Sequence, residues 1–298
     1  MNGILPLWKP KGMTSHDCVM RVRRLYKTKK CGHTGTLDPE AEGMLPICLG
    51  QATKIVPFLV DTKKTYLAEV SLGAATDTED GQGQVVEQKP VTSFPPHEEI
   101  DHVLQSFKGT LLQTPPMYSA VKVKGKKLYE YARENKEVER PVREVTIHDI
   151  RLLSGKAGEN CFKIEVVCSK GTYIRTLCAD IGKRLGYPAH MADLTRTQTA
   201  SFSEETAVDF ETIEAAADAG QAEQLLVPLT AGLGHMDKLE VDSETKMKVK
   251  NGRKLPQTLA QHMKTDPFMV LHEKELLAIY QTHPEKHGQI KPVRVFPG

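Results

Sequence analysis

Residues 32–50, GHTGTLDPEAEGMLPICLG, open as a polar loop and close as an apolar run, Met44-Leu45-Pro46-Ile47-Cys48-Leu49, of strand character. Gly32, Gly35 and Gly43 admit backbone angles that other residues avoid, and Pro39 pushes Asp38 out of the helical region. A carboxylate is therefore expected on a defined turn, just ahead of a buried strand. An ordinary Asx turn satisfies the same residues. What separates the two readings lies elsewhere in the chain.

On the N-terminal side, residues 4–8 (ILPLW) predict a short edge strand, because Pro6 cannot donate to a ladder. The loop 9–15, KPKGMTS, ends in helix-capping residues, and Thr14 with Asp17 matches a capping box. Cys18, Val22, Leu25 and Tyr26 share one face of the helix that follows, which leaves Arg21, Arg23, Arg24 and Lys27 to solvent or phosphate.

On the C-terminal side, Tyr66, Ala68, Val70 and Leu72 alternate as a half-buried strand, in which a tyrosine is most simply core. The acid-rich segment 74–83 lacks the EF-hand pattern and its terminal Glu, and reads as a turn rather than a metal site. A helix is expected over 98–107. In 115–133, PPMYSAVKVKGKKLYEYAR, lysines alternate with aromatics. That pattern suits an RNA surface, with charges for phosphates and rings for stacking, or a basic hairpin followed by a helix packed through Leu128 and Tyr131. Phe162, Ile164, Val166 and Cys168 form a further strand, Lys170-Gly171-Thr172 a turn, and Ile174, Leu177, Cys178, Ile181 and Leu185 a helix stopped by Gly186. Tyr173 and Arg175 then fall on the first helical turn, where free N–H groups and a guanidinium favour an anion. The Ala-rich acidic segment 204–223 reads as a solvent-facing helical region. From Leu239 a basic helix through Lys246, Lys248 and Lys250, an Asn251-Gly252 turn and strands near 268–272, 276–281 and 290–296 predict a small β-rich module.

At 298 residues the chain needs no staples. Its six cysteines form no C-x-x-C pair, so neither a disulfide framework nor structural zinc is expected, and a reducing cytosol fits. No signal peptide or 18-residue apolar run is present, which predicts neither secretion nor a membrane span. Net charge is only +2, from 40 basic and 38 acidic side chains, but it is segregated. Residues 9–30 carry eight Lys or Arg against one Asp, residues 122–143 eight against four acids, and residues 204–223 seven acids and no base. Such segregation predicts either a phosphate-following face or merely solvated helix faces.

The segment 32–50 resembles the catalytic motif of the TruB-type tRNA pseudouridine synthases. KPKGMTS, Lys64-Thr65-Tyr66, the 115–133 segment, KGTYIRTL at 170–177 and Leu194-Thr195-Arg196-Thr197 resemble further motifs of that family, in order, across most of residues 1–235. The resemblance implies an α+β pseudouridine synthase fold: a mixed, largely antiparallel central sheet flanked by helices, followed by a small β-rich PUA-like domain. Its domains would be 1–235, with an RNA-contacting insertion at 113–143, and 236–298. It also implies roles. Asp38 is the catalytic residue, and Arg175 pairs with it, which should lower its pKa by about 1–3 units. Tyr66 stacks on the target base, Tyr173 lies beside the nucleotide, Leu194 lines the pocket, and His33 takes the space that an extruded uridine vacates. Lys9 belongs to the Lys-Pro segment that supports the loop and is expected among the substrate-binding residues. Thr195 stands where the family motif, L-R-R-T, has its first Arg, so any phosphate contact there falls to Arg196.

The implied activity is isomerisation of uridine-55 in the T-loop of tRNA by base flipping, in a cytoplasmic, monomeric enzyme. Its partner is the tRNA T-stem-loop, with no metal, no cofactor, no membrane and no obligate protein partner. Two other readings remain at this stage. A glycoside or nucleoside hydrolase would pair two carboxylates, and Glu40 and Glu42 lie near Asp38. An RNA-folding protein would need the basic segments but not Asp38.

Overall fold

The computed structural model describes residues 1–134 and 136–296. The chain runs β1 (Gly3–Lys9), α1 (Ser15–Leu25), β2 (Cys31–His33), β3 (Glu42–Leu49), α2 (Val56–Val60), β4 (Lys64–Leu72) and a hairpin of β5 (Ala74–Thr76) and β6 (Val85–Gln88). Next come α3 (His97–Gln105), β7 (Gly109–Gln113), β8 (Lys122–Val123), β9 (Lys126–Lys127), α4 (Leu128–Arg133), β10 (Arg143–Lys156), β11 (Cys161–Cys168), α5 (Ile174–Arg184), β12 (Ala189–Thr199), β13 (Phe202–Ser203) and α6 (Phe210–Asp218). After α7 (Leu229–Gly232) follow β14 (Lys238–Glu240), α8 (Ser243–Lys250), β15 (Leu255–Pro256), β16 (Phe268–His272), β17 (Glu275–Thr282) and β18 (Gln289–Val295).

The large sheet has the order β1-β3-β12-β4-β11-β10-β7, with β2 on β3 and β13 on β12. Its pairings are antiparallel except β3 with β12, so the expected mixed, largely antiparallel α+β sheet is what forms. β1 is the predicted edge strand, and its Pro6 lies opposite Pro46, so neither partner leaves a ladder N–H unmet. β4 alternates as predicted, with Tyr66, Ala68, Val70 and Leu72 inward. That face joins Phe162, Ile164, Val166 and Cys168 of β11 and the apolar face of α5 in one core.

The single parallel junction sets the position of segment 32–50. There Gly43 of β3 faces Arg196 of β12. Gly43 has φ +114°, and a Cβ on it would sit 2.3 Å from the Arg196 carbonyl oxygen, so only glycine lets the two backbones meet. Thr14 caps α1 with the predicted Thr14–Asp17 box.

The last fifth of the chain forms a five-stranded sheet, β14-β16-β17-β18-β15; β16, β17 and β18 fall at the predicted strand positions, whereas β14 and β15 were not expected, and β14 lies where the basic helix was to begin. One of its faces is not independent of the first sheet: Met269, Leu271, Ile279 and Phe296 share a buried cluster with Ile4, Met44 and Cys48.

Three surface expectations change. Arg21 is not free for phosphate: its Nη2 pairs with Glu214 of α6 at 2.6 Å and its guanidinium lies 4.3 Å from the Phe210 ring centroid. The acidic stretch is therefore partly inward-facing, with Phe210 and Ile213 buried. The aromatic faces of the insertion are also occupied, because Lys127 and Arg133 lie 5.2 and 5.3 Å from the Tyr129 centroid and Lys126 lies 5.1 Å from that of Tyr131. Leu128 packs as predicted, wholly buried.

Candidate active site

The loop between β2 and β3 is held by side chains that reach it from three other stretches. Lys9, fully buried, donates from Nζ to the carbonyls of Pro10 at 2.8 Å, Pro39 at 2.9 Å and Ala41 at 2.6 Å. The expectation that Lys9 binds substrate is thus corrected, since its ammonium is spent on loop backbone and has no exposed surface; the supporting role fits. Ser15 clamps Leu37 from both sides, accepting from its N–H at 2.8 Å and donating to its carbonyl at 3.0 Å. Arg196, 1% exposed, donates from Nε to Met44 O, from Nη1 to Thr36 O and from Nη2 to Gly35 O. A phosphate contact from Arg196 is therefore excluded by geometry; the residue is a brace. Thr195, in place of the family arginine, reaches Glu42 Oε1 at 3.4 Å.

These braces aim Asp38 at α5. Arg175 Nε lies 3.1 Å from Asp38 Oδ2. The Arg175 side chain is 6% exposed and that of Asp38 41%, so a buried cation backs a carboxylate that opens to the cleft. The guanidinium also donates from Nη1 to Thr78 O at 3.0 Å and Asp80 Oδ2 at 3.4 Å, and from Nη2 to Tyr118 O at 3.0 Å. All three nitrogens of its planar fork thus face an oxygen.

Leu37 and Ala41, which flank Asp38, share a buried cluster with Tyr66, Leu194 and Ile174. Tyr66 stands opposite Arg196 in the β4–β12 register, and Leu194 opposite Ala68. The wall beside the carboxylate is therefore apolar and aromatic. Tyr173 is the N-cap of α5 rather than part of its first turn, with an extended backbone and a partly exposed side chain. His33 ends β2, and its Nδ1 accepts from the Gly35 N–H at 3.2 Å.

Opposing effects act on the ionisation of Asp38. Burial raises its carboxyl above the ordinary 3.8; the Arg175 guanidinium opposes the rise, while Asp80 adds to it. Arg175 lowers the carboxyl as expected, and burial is the larger influence in the opposite direction. Burial likewise raises the Tyr66 phenol, and it lowers the His33 imidazole, with Arg196 adding to the lowering.

Two members of this arrangement escaped sequence reasoning. Asp80 sat in a run of acids read only as a turn near the RNA cleft, yet its side chain is only 18% exposed and pairs with Arg175. Its neighbour Glu79 accepts from the Thr176 hydroxyl at 2.5 Å, which ties the β5–β6 hairpin to α5. Ser15 was read only as a helix-start residue. Among the described residues, no group of three or more His, Cys, Asp or Glu is placed to hold a metal ion. Glu40 and Glu42 take no part in the Asp38–Arg175 contact.

A mixed sheet thus presents Asp38, paired with the buried Arg175 beside an aromatic and aliphatic wall, and similarity to known proteins places the chain among the pseudouridine synthases. The N-terminal domain of TruB family pseudouridylate synthases matches residues 23–174, and the tRNA pseudouridylate synthase B C-terminal domain matches residues 175–238. The chain is 60% identical over 296 residues to the tRNA pseudouridine synthase B of Oceanobacillus iheyensis, covering 99% of this chain and 98% of that one. It is 50% identical over 301 residues to the protein of the same name from Bacillus subtilis, with coverages of 99% and 97%. A chain in the crystal structure of a Cbf5-Nop10-Gar1 complex superposes with a TM-score of 0.76 at 26% identity, covering 99% of this chain and 84% of that one. The chain belongs to the TruB family of pseudouridylate synthases.

Proposed function

We propose that this chain converts uridine-55 in the T-loop of tRNA to pseudouridine, with Asp38 as its catalytic carboxylate. The observation that carries this reading is the Asp38–Arg175 pair at 3.1 Å, flanked by the cluster of Leu37, Tyr66 and Leu194. The isomerisation breaks the N1–C1′ bond, turns the detached uracil and joins C5 to C1′. The C5 proton leaves to solvent and N1 takes one up, so the reaction balances without an oxidant, reductant or group donor. Asp38 acts at the sugar or the uracil ring, as a nucleophile in covalent addition or as the general base that removes the C2′ proton; either step needs the ionised carboxylate. Arg175 supplies the charge that keeps it ionised and oriented against the cost of burial. Tyr66 and Leu194 confine the flat ring while it turns, and Tyr173 borders the nucleotide.

A uridine stacked in a folded loop must be extruded to reach Asp38, at a cost of a few kcal/mol. His33, whose imidazole is held below its ordinary pKa by burial, fills the vacated space. The exposed basic residues of segments 9–30 and 122–143, Lys9 and Arg21 excepted, hold the RNA backbone. In this reading residues 1–235 are the catalytic domain, with the insertion 113–143 on the RNA, and residues 236–298 are a PUA-like RNA-binding module. On the same reading the protein works on the tRNA as a monomer, without an obligate protein partner, in the cytoplasm.

The test is product analysis. Transcripts of tRNA are incubated with the protein, digested to nucleosides and compared with a transcript carrying cytidine at position 55. Pseudouridine from the first and none from the second is expected. Release of free uracil would favour the hydrolase, the one competing reading with a specific observation behind it, because Asp80 brings a second carboxylate onto the same guanidinium.

A further inference from the structure

Gln113 closes β7 and is 3% exposed. Its side-chain amide meets both backbone groups of Tyr173: Nε2 donates to the carbonyl at 2.9 Å, and Oε1 accepts from the N–H at 2.7 Å. Tyr173 is the N-cap of α5 and has no side-chain cap of its own. In a capping box, the residue three places into the helix reaches back to the N-cap N–H. Here that residue is Thr176, and its hydroxyl is committed to Glu79. Gln113 supplies the missing bond from a strand elsewhere in the sheet.

Arg175 is the second residue of the helix so anchored, and its guanidinium reaches Asp38 only if the first turn is correctly placed. Gln113 is at once the last residue of β7 and the first of the insertion. It pairs in register with Arg143, where the chain returns into β10, so both ends of the insertion spring from one cross-strand pair. Within the insertion, the Tyr118 carbonyl takes a hydrogen bond from Arg175 Nη2 at 3.0 Å. The base of the insertion and the start of α5 therefore meet twice, once at Gln113 and once at the guanidinium itself.

We propose that Gln113 is a positioning residue for the isomerisation: it fixes the α5 N-cap so that Arg175 meets Asp38, and it couples the seating of the insertion on RNA to that pair. This rests on the reading of Asp38 and Arg175 given above. Gln113→Met keeps the length of the side chain and removes both bonds. Gln113→Glu retains them when protonated, the form that burial favours for a carboxyl.

The experiment is single-turnover tritium release from tRNA labelled at uridine C5, with enzyme in excess, alongside tRNA binding, thermal melting and the pH dependence of the rate. Gln113→Met should slow release about 10- to 100-fold, the scale of an ångström-level misplacement, with tRNA affinity within about threefold. Its acid limb should move to higher pH as Arg175 loosens from Asp38, and Gln113→Glu should recover rate relative to Gln113→Met. The proposal is overturned if Gln113→Met releases tritium within about threefold of wild type with an unmoved acid limb. It is overturned equally if the slowing vanishes once the rate is expressed per folded molecule. Absence of release by the wild type would instead overturn the reading of the site on which the proposal rests.

Discussion

Asp38 is held between two opposing effects, and its pH behaviour shows which one dominates. Burial raises its pKa above 3.8, and the Arg175 guanidinium is the leading influence in the other direction. The rate should therefore fall as pH drops through a value above 3.8, since the carboxylate is the working form. In Arg175→Met, that acid limb should shift upward by roughly 1–3 units, measured as single-turnover rate against pH; an unmoved limb would mean that the pair does not control ionisation. Asp38 was legible from sequence because its constraint is local: glycines on either side and a proline directly after it. The role of Arg196 was not, because it arises where β3 and β12 run in parallel, a contact no local pattern announces. Asp80 was hidden for a related reason: in an acid-rich turn, only proximity to Arg175 singles out one carboxylate. Arg196→Met should cost about 3 kcal/mol in denaturant unfolding, through three charge-assisted bonds to backbone, while leaving the salt slope of tRNA binding unchanged. A slope lowered by about one unit would restore the phosphate contact that the geometry excludes.

At the scale of elements, β4 shows how a strand serves site and stability at once. Its inward face carries Tyr66, and two residues before it Lys64 is also buried, donating to the carbonyls of Val60 and Thr62 at the end of α2. The alternation that revealed Tyr66 includes Lys64, but a lysine on the buried face is invisible to a pattern of apolar residues. Burial pushes the Lys64 pKa from 10.5 down to about 8. Between these values the unfolded chain binds the proton and the folded chain does not, so stability rises with pH through that window; below about pH 8 both states are protonated, and the burial cost is fully present. The gain across the window is on the order of 3 kcal/mol. Unfolding followed from pH 7.5 to 10.5 should show it in the wild type and lose it in Lys64→Met. Parallel pH dependences would mean that Lys64 titrates normally. The helix α5 was read almost to the residue, because Gly186 and the 3.6-residue spacing are local signals; its N-cap partner Gln113 was not, because it lies in another strand.

For the whole molecule, the two sheets are joined by a shared apolar cluster, in which Ile4, Met44 and Cys48 meet Met269, Leu271, Ile279 and Phe296. Strands β16, β17 and β18 were legible from their periodicity, while β14 and β15, of three and two residues, were too short to show one; nor was this junction legible, since the same apolar faces could have closed on themselves. Thermal or denaturant unfolding should therefore be a single transition seen alike by circular dichroism and by Trp8 fluorescence, the lone tryptophan being in β1. Two separated transitions would show that the C-terminal module is independent. The same interdependence governs the site, where segments near residues 9, 15, 38, 66, 80, 175 and 196 act together to present one carboxylate. The most direct test is tritium release from tRNA labelled at uridine C5 by wild type and by Asp38→Asn, with tRNA binding measured in parallel. The account predicts release by the wild type alone, with binding by the variant within about threefold. Comparable release from both proteins would contradict it.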